Sequence, residues 1–242
     1  MKPVLRLVGL LIDPALLLQV FFVGRIALMT VVDPQSTSFQ RSEAWRVATE
    51  KGSLRWRQQW VPYAQISDHL KRAVIASEDG DFINHDGVEW EAIEKAWQKN
   101  AKAEEQAARR AQLRPNARAP KIVGGSTITQ QLAKNLLLSG ERTLLRKGQE
   151  FVLTLALEVL MSKQRILEIY LNSVEWGEGV FGAEAAAQHY CRKSAAKLSA
   201  YEAARLSVML PRPKYFEKLP NSGYLASRAS TITARMGDAV LP

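Results

Sequence analysis

At 242 residues the chain has room for one globular domain with accessories and a sizeable core, and two large domains would be crowded. Lys and Arg number 33 against 24 Asp and Glu, a formal +9 that points to an anionic partner: a membrane surface, a phosphorylated substrate or nucleic acid. The single cysteine, Cys191, excludes an intrachain disulfide and a thiolate metal cluster and reads as a small buried or half-buried side chain.

From Val4 to Val32 the chain is mostly apolar and, read as one helix, reaches across a bilayer. Asp13-Pro14, Gln19 and Arg25 interrupt the run, since an intramembrane aspartate is costly and Pro14 breaks or kinks a helix. Lys2 and Arg6 also suit a signal peptide, but no small-x-small cleavage site follows. Residues 1–32 are therefore predicted as a cytoplasmic tip and transmembrane anchor, with residues 33–242 outside the cytoplasm. A buried hairpin is the alternative.

Asp33-Pro34 opens a short turn-rich linker. Trp45, Trp56, Trp60 and Tyr63, interleaved with Arg41, Arg46, Lys51, Arg55 and Arg57, suggest a surface at headgroup depth, where rings sit at the interface and cations meet phosphate. Leu70, Val74 and Ile75 share one helical face, which puts Glu78 at or just past a packed helix end. Residues 78–87, Glu-Asp-Gly-Asp-Phe-Ile-Asn-His-Asp-Gly, follow. Their composition alone favours a solvated turn whose acids satisfy loop amides; a base held at a rigid helix end is the functional reading.

Val88 to Asn100 has helical spacing, with Val88, Ile93, Ala96 and Trp97 available for a buried side. A basic flexible insertion is expected at about 99–121, after a surface helix. In Gly124-Gly-Ser-Thr-Ile-Thr-Gln-Gln-Leu-Ala-Lys-Asn135, Ser126 or Thr127 can cap a helix whose start offers N–H groups to an anion. It is not a phosphate-binding P-loop. Arg146 and Glu150 lie four apart on one helix face, with Lys147 three before Glu150. Phe151 to Met161 is apolar almost all round and only 11 residues long, so it is predicted as a buried core helix rather than a second span. Gly177, Gly179 and Gly182 mark a turn, Ser199 a helix start, and Pro211 and Pro213 a helix end. Strand-like alternation is weak throughout, so the body is predicted mainly α.

Taken in order, Glu78-Asp79-x-x-Phe82-x-x-His85-x-Gly87, Gly124 to Gln131, Arg146-Lys147-x-x-Glu150 and Lys163-x-x-Ile166-Leu-Glu168-x-Tyr170-Leu-Asn172 resemble the motif series of the peptidoglycan glycosyltransferases, glycosyltransferase family 51. The likeness covers roughly residues 40–215 and is to the monofunctional members that lack a transpeptidase domain. It implies a helical, lysozyme-like domain behind an anchor in the inner membrane of a Gram-negative bacterium, with the catalytic domain on the periplasmic side. It also implies lipid II as acceptor, a growing lipid-linked glycan strand as donor, and release of undecaprenyl diphosphate. Glu78 matches the general base. Glu150 matches the second glutamate, assisting departure of the diphosphate directly or through Mg2+ or Mn2+ bound with the lipid diphosphate.

Lys134, Arg142, Arg146 and Lys147 match cations that meet the diphosphate; Ser126, Gln131, Asn135 and, through a match clouded by the insertion, Lys95 match polar residues of the cleft. Phe82 and His85 fall in the first motif, which implies substrate contact for Phe82 and, for His85, either a supporting or a structural role. For Lys163, Glu168, Tyr170 and Asn172, helix packing weighs evenly against a supporting role, and Asp79 and Glu175 are acids that could only tune the field. Membrane phospholipid and a cell-wall synthesis or division complex are the implied partners. The competing readings are a membrane-tethered binding protein without activity and a lytic glycosidase, which also uses two carboxylates. Nucleic acid is set aside, because no helix-turn-helix, zinc module or RNA-binding motif accompanies the charge.

Overall fold

A computed structural model describes the backbone of residues 2–52, 55–113, 124–138, 140 and 143–242, and their side chains except those of 2–12 and 111–113. Helix α1 (Lys2–Met29) runs on through Pro14 without a break. Its second half lays Phe22, Ile26 and Met29 on the core, while Leu17, Val20 and Phe21 on the other side are exposed. Among the described residues, no helix is long and apolar enough to cross a membrane.

Helix α2 (Ser38–Lys51) starts with a capping box, in which Thr37 and Gln40 satisfy each other's backbone N–H. Of the headgroup surface expected over residues 41–63, part is taken up within the fold. Arg46 pairs with Glu43, Glu50 and Glu178, and Lys51 also reaches Glu178. Trp56 stacks on Phe181 with ring centroids 4.4 Å apart, and Trp60 packs on the core. Arg46 and Lys51 are thus met by the fold's own acids, whereas Arg41, Arg55 and Arg57 are exposed, and of the named rings Trp45 stands clear in solvent.

Strand β1 (Arg57–Gln58) leads to α3 (Asp68–Glu78), which buries Leu70, Ala73, Val74 and Ile75 and ends on Glu78. Helix α4 (Trp90–Leu113) extends through residues 99–113 of the expected insertion; residues 114–121 lie outside the described residues. Of its expected inner side, Val88 and Ala96 are buried but Ile93 and Trp97 are not. A Cβ on Gly125 would meet Ala92 O at 3.1 Å and Ala96 Cβ at 3.2 Å. Only small residues fit so close an approach, so Ala92 and Ala96 face inward while Ile93 and Trp97 point out, Trp97 at 75% exposure.

Helices α5 (Ile128–Leu137), α6 (Leu144–Leu160) and α7 (Lys163–Ser173) pack together beneath the site. Helix α6 is not buried all round: Leu153 and Leu157 are covered, but Val152 and Val159 are exposed. Part of its outer side meets α1, where Gln19 and Gln149 exchange amide hydrogen bonds of 2.8 and 2.9 Å, and Phe151 lies 6.1 Å from Trp90. The apolar run is wider than the area its neighbours cover.

Strands β2 (Glu175–Gly177) and β3 (Val180–Phe181) form a hairpin, and β1 joins β3 in parallel to give the order β1-β3-β2. Gly179 is required at the crossing, with φ +70° and a Cβ position 2.0 Å from Arg55 O. Helix α8 (Ala183–Cys191) follows and leaves Cys191 half-buried. Helix α9 (Ala200–Met209), capped by Ser199 and Glu202, ends before Pro211. Helices α10 (Pro213–Phe216) and α11 (Gly223–Arg235) close the domain, α11 against α9 and α3.

Candidate active site

Glu78 is held where the end of α3 meets α5. Its Oε2 accepts a 3.0 Å hydrogen bond from Gln131 Nε2, and Gln131 Oε1 accepts one of 3.0 Å from the Tyr170 hydroxyl. Tyr170 is fully buried on α7, so the amide between them has one orientation. Burial pushes the Glu78 carboxyl above the usual carboxylate range; the charge of Asp79 adds to this and the Gln131 bond opposes it.

The rest of residues 78–87 is tied inward. Asp79 Oδ1 takes the Nε2–H of His85 at 2.8 Å, and Asp79 Oδ2 takes the backbone N–H of Ile128 at 2.9 Å. His85 Nδ1 accepts from Gly87 N at 3.0 Å, which places the neutral ring's proton on Nε2. Burial works against a charged His85, but the hydrogen bond to Asp79 together with the charges of Asp79 and Glu158 outweighs it and raises the imidazole above its ordinary value. Thr127 Oγ1 donates to Gly87 O at 2.6 Å, and Gly87 sits at φ +82° with its Cβ position 2.7 Å from Thr154 Cγ2.

These contacts correct two expectations. The start of α5 does not wait for a substrate anion: Asp79 takes the N–H of Ile128, and Thr127 Oγ1 takes that of Gln130 at 3.1 Å. Phe82 does not reach the cleft either, being fully buried beneath Lys163 Nζ, which stands 4.7 Å from the ring centre. Lys163 also donates to His85 O and to Glu158 Oε1. Glu168 accepts from Tyr63 N at 2.8 Å, and Asn172 makes two 3.0 Å bonds to the backbone of Val61. Lys163, Glu168 and Asn172 thus fasten segments beneath the site.

At the other end, Arg146 donates to Glu150 Oε2 at 2.8 Å and Lys147 to Glu150 Oε1. Glu150 is buried, Arg146 partly so, and Lys147 is half exposed. A cleft of about 720 Å3 joins the two ends, lined by Glu78, Ser126, Gln131, Lys134, Asn135, Arg146, Lys147 and Glu150. Lys95 instead borders a smaller cavity of about 240 Å3 next to Glu78, Asp79 and Ser126, and pairs with Glu91 at 2.9 Å. Arg142 lies outside the described residues.

The donor set does not fit a resident metal. Both oxygens of Glu150 are taken by Arg146 and Lys147, and no group of three or more His, Cys, Asp or Glu side chains able to hold a metal ion occurs among the described residues. Sequence reasoning missed Phe39, Leu210, Pro211 and Pro213, which line the same cleft as Glu175. No periodicity links them to the motifs. The capping-box spacing of Thr127 and Gln130 did signal where α5 begins.

The charge layout is a partly buried acid at one end of a cleft and a clamped cation pair at the other. A family model described as Transglycosylase matches residues 46–237. Over 224 residues, 93% of this chain, the sequence is 54% identical to a biosynthetic peptidoglycan transglycosylase of Burkholderia thailandensis, covering 82% of that protein. Proteins of the same description from Paraburkholderia phytofirmans and Paraburkholderia xenovorans are 53% and 52% identical over the same share of this chain, with 87% of each covered. The matched stretch encloses every motif residue from Glu78 to Asn172, and the chain belongs to the Transglycosylase family.

Proposed function

We propose that this protein polymerises lipid II into β-1,4-linked glycan strands at the outer face of a bacterial inner membrane. The observation that carries the reading is the single cleft shared by Glu78 and the Arg146–Lys147–Glu150 cluster. In this reading Glu78 takes the proton of the acceptor's 4-hydroxyl as that oxygen attacks the donor's anomeric carbon. The bond from that carbon to the diphosphate oxygen breaks, configuration inverts from α to β, and undecaprenyl diphosphate leaves. Glu78 suits the task because Gln131 aims it and burial makes it a stronger base than a solvated carboxylate.

Negative charge grows on the departing diphosphate. Arg146, Lys147 and Lys134 meet it, and Glu150 holds the first two in place before the charge develops. Mg2+ or Mn2+ belongs to this reading only as a companion of the lipid diphosphate.

The membrane side of the reading is supported by the exposed apolar faces of α1 and α6, beside Trp90 and Trp97 of α4. Residues 1–32 would anchor the chain, with the lysozyme-like domain on the periplasmic side and phospholipid around α1. A cell-wall synthesis or division complex is the proposed wider setting.

The test is incubation of the detergent-purified chain with lipid II alone, with products separated by size. Glycan polymer formed without a second enzyme is the expected result. Binding of lipid II without polymer would favour a tethered binding protein, and cleavage of preformed glycan would favour a lytic glycosidase; either result overturns the polymerase reading.

A further inference from the structure

Arg165, in the first turn of α7, takes part in none of the steps above, yet it joins four parts of the chain. Its side chain is largely buried. Nε donates to Met29 O, at the end of α1, at 2.9 Å, and Nη1 stands 2.8 Å from Asp33 Oδ1 in the linker. The same Nη1 donates to Glu168 Oε2 at 2.7 Å, one turn further along α7. The guanidinium lies over Trp60, 5.6 Å from the ring centre, and its Nη2 has no hydrogen-bond partner.

These contacts continue along one side of the helix. Positions 165, 168 and 172 are three and four apart and share a face; Glu168 Oε1 takes the N–H of Tyr63 at 2.8 Å, and Asn172 makes its two 3.0 Å bonds to Val61. The row fastens α7 to residues 60–63, and Arg165 extends it to the end of α1. Tyr170 leaves α7 on the far side. It is fully buried there, its hydroxyl donates to Gln131, and Gln131 donates to Glu78. A helix turns as one body, so whatever fixes the clamped face also fixes the direction of the Tyr170 hydroxyl.

We propose, resting on the polymerase reading and on Glu78 as its base, that Arg165 is a positioning residue for the reaction. It sets the rotation of α7 that directs Tyr170 to Gln131, and through Met29 and Asp33 it ties that rotation to the end of α1. Arginine suits the place because its planar fork serves an oxygen on α1, one in the linker and one on α7 at once, which an ammonium on a flexible stem does not. Without the fork α7 loses its fastening to α1 and the linker, and the amide that aims Glu78 loses its fixed partner.

The test is a double-mutant cycle on kcat and KM for lipid II in the full-length protein: wild type, Arg165→Met, Tyr170→Phe and the two together. Methionine keeps an apolar stem over Trp60 and removes every donor. Arg165→Met is expected to lower kcat about three- to tenfold, the worth of the one hydrogen bond it directs, with KM changed less than about twofold. In the pair the losses should not multiply: once Tyr170 lacks its hydroxyl, Arg165→Met should change kcat by less than about twofold. Arg165→Lys, which keeps the charge without the fork, should fall between wild type and Arg165→Met. A purely structural residue would lower stability and leave the two losses to multiply. Losses that multiply, or a wild-type kcat in Arg165→Met, overturn the positioning role while leaving the polymerase reading intact. A wild type that forms no polymer overturns both. Should Arg165→Met fail to fold, the same cycle with Arg165→Lys decides: a wild-type kcat, or losses that multiply, overturns the role.

Discussion

The two glutamates at the ends of the main cleft have opposite surroundings. Glu78 touches a neutral amide, lies beside another acid and is raised by burial, whereas Glu150 has a cation on each oxygen. A base needs a proton affinity above that of a solvated carboxylate, and burial gives Glu78 one. Glu150 instead arranges two positive charges. The same side chain does two jobs because one is buried beside a neutral amide and the other between two cations.

The sharpest way to break this contrast is to neutralise Glu78. Glu78→Gln should lower polymerisation about 10²- to 10⁴-fold, the range for a positioned base, while the fold survives and lipid II still binds. Wild-type rates in the purified variant would remove Glu78 from the role of base. Glu150→Ala comes next, with a loss of about 10²-fold from a displaced cation pair. It should also lower unfolding free energy by about 1–3 kcal/mol, less than the roughly 3–5 kcal/mol for a fully buried broken pair because Lys147 is half exposed. A urea titration checks the second figure, and unchanged stability would mean that the clamp is not structural.

Tyr170→Phe removes the donor that orients Gln131 and should cost about three- to tenfold in rate, the worth of one hydrogen bond. The loss should fall on kcat rather than KM; a pure KM effect would place Tyr170 in binding instead. The smallest expected effect is on stability against pH. Between the ordinary carboxylate value of 4.5 and its raised value, Glu78 keeps a proton in the folded protein that the unfolded chain has released. Its contribution to stability is therefore present at low pH and lost as pH rises through that window. Glu78→Gln should melt progressively higher than wild type as pH climbs from about 4.5 towards neutrality. A constant difference in melting temperature would argue against a buried, proton-hungry Glu78. In activity, the same group places the acid limb of the rate profile above 4.5.

Legibility in sequence followed chain separation. Arg146, Lys147 and Glu150 could be read together because a helix brings positions three and four apart onto one face. The links that orient Glu78 span 53 residues to Gln131 and a further 39 to Tyr170, and no local pattern announces them. Residues 78–87 show both outcomes in one stretch. The solvated-turn reading foresaw acids bonding to backbone amides but not which amide, since Ile128 is 49 positions from Asp79. Phe82 stood in a functional motif and proved to be core.

The sequence by itself determined the helical character, the helix starts at Thr127 and Ser199, the Arg-Lys-x-x-Glu face and the order of motifs that marks the family. Each of these depends on residues within a few positions of one another, where backbone geometry leaves little choice. Tertiary structure decided which apolar faces are covered, turning Trp97 and Val159 outward. It also put Asp79 at the start of α5, and it gathered Glu43, Glu175 and Lys214 into one group. Those outcomes depend on how closely distant elements approach, and periodicity along the chain carries no record of that distance.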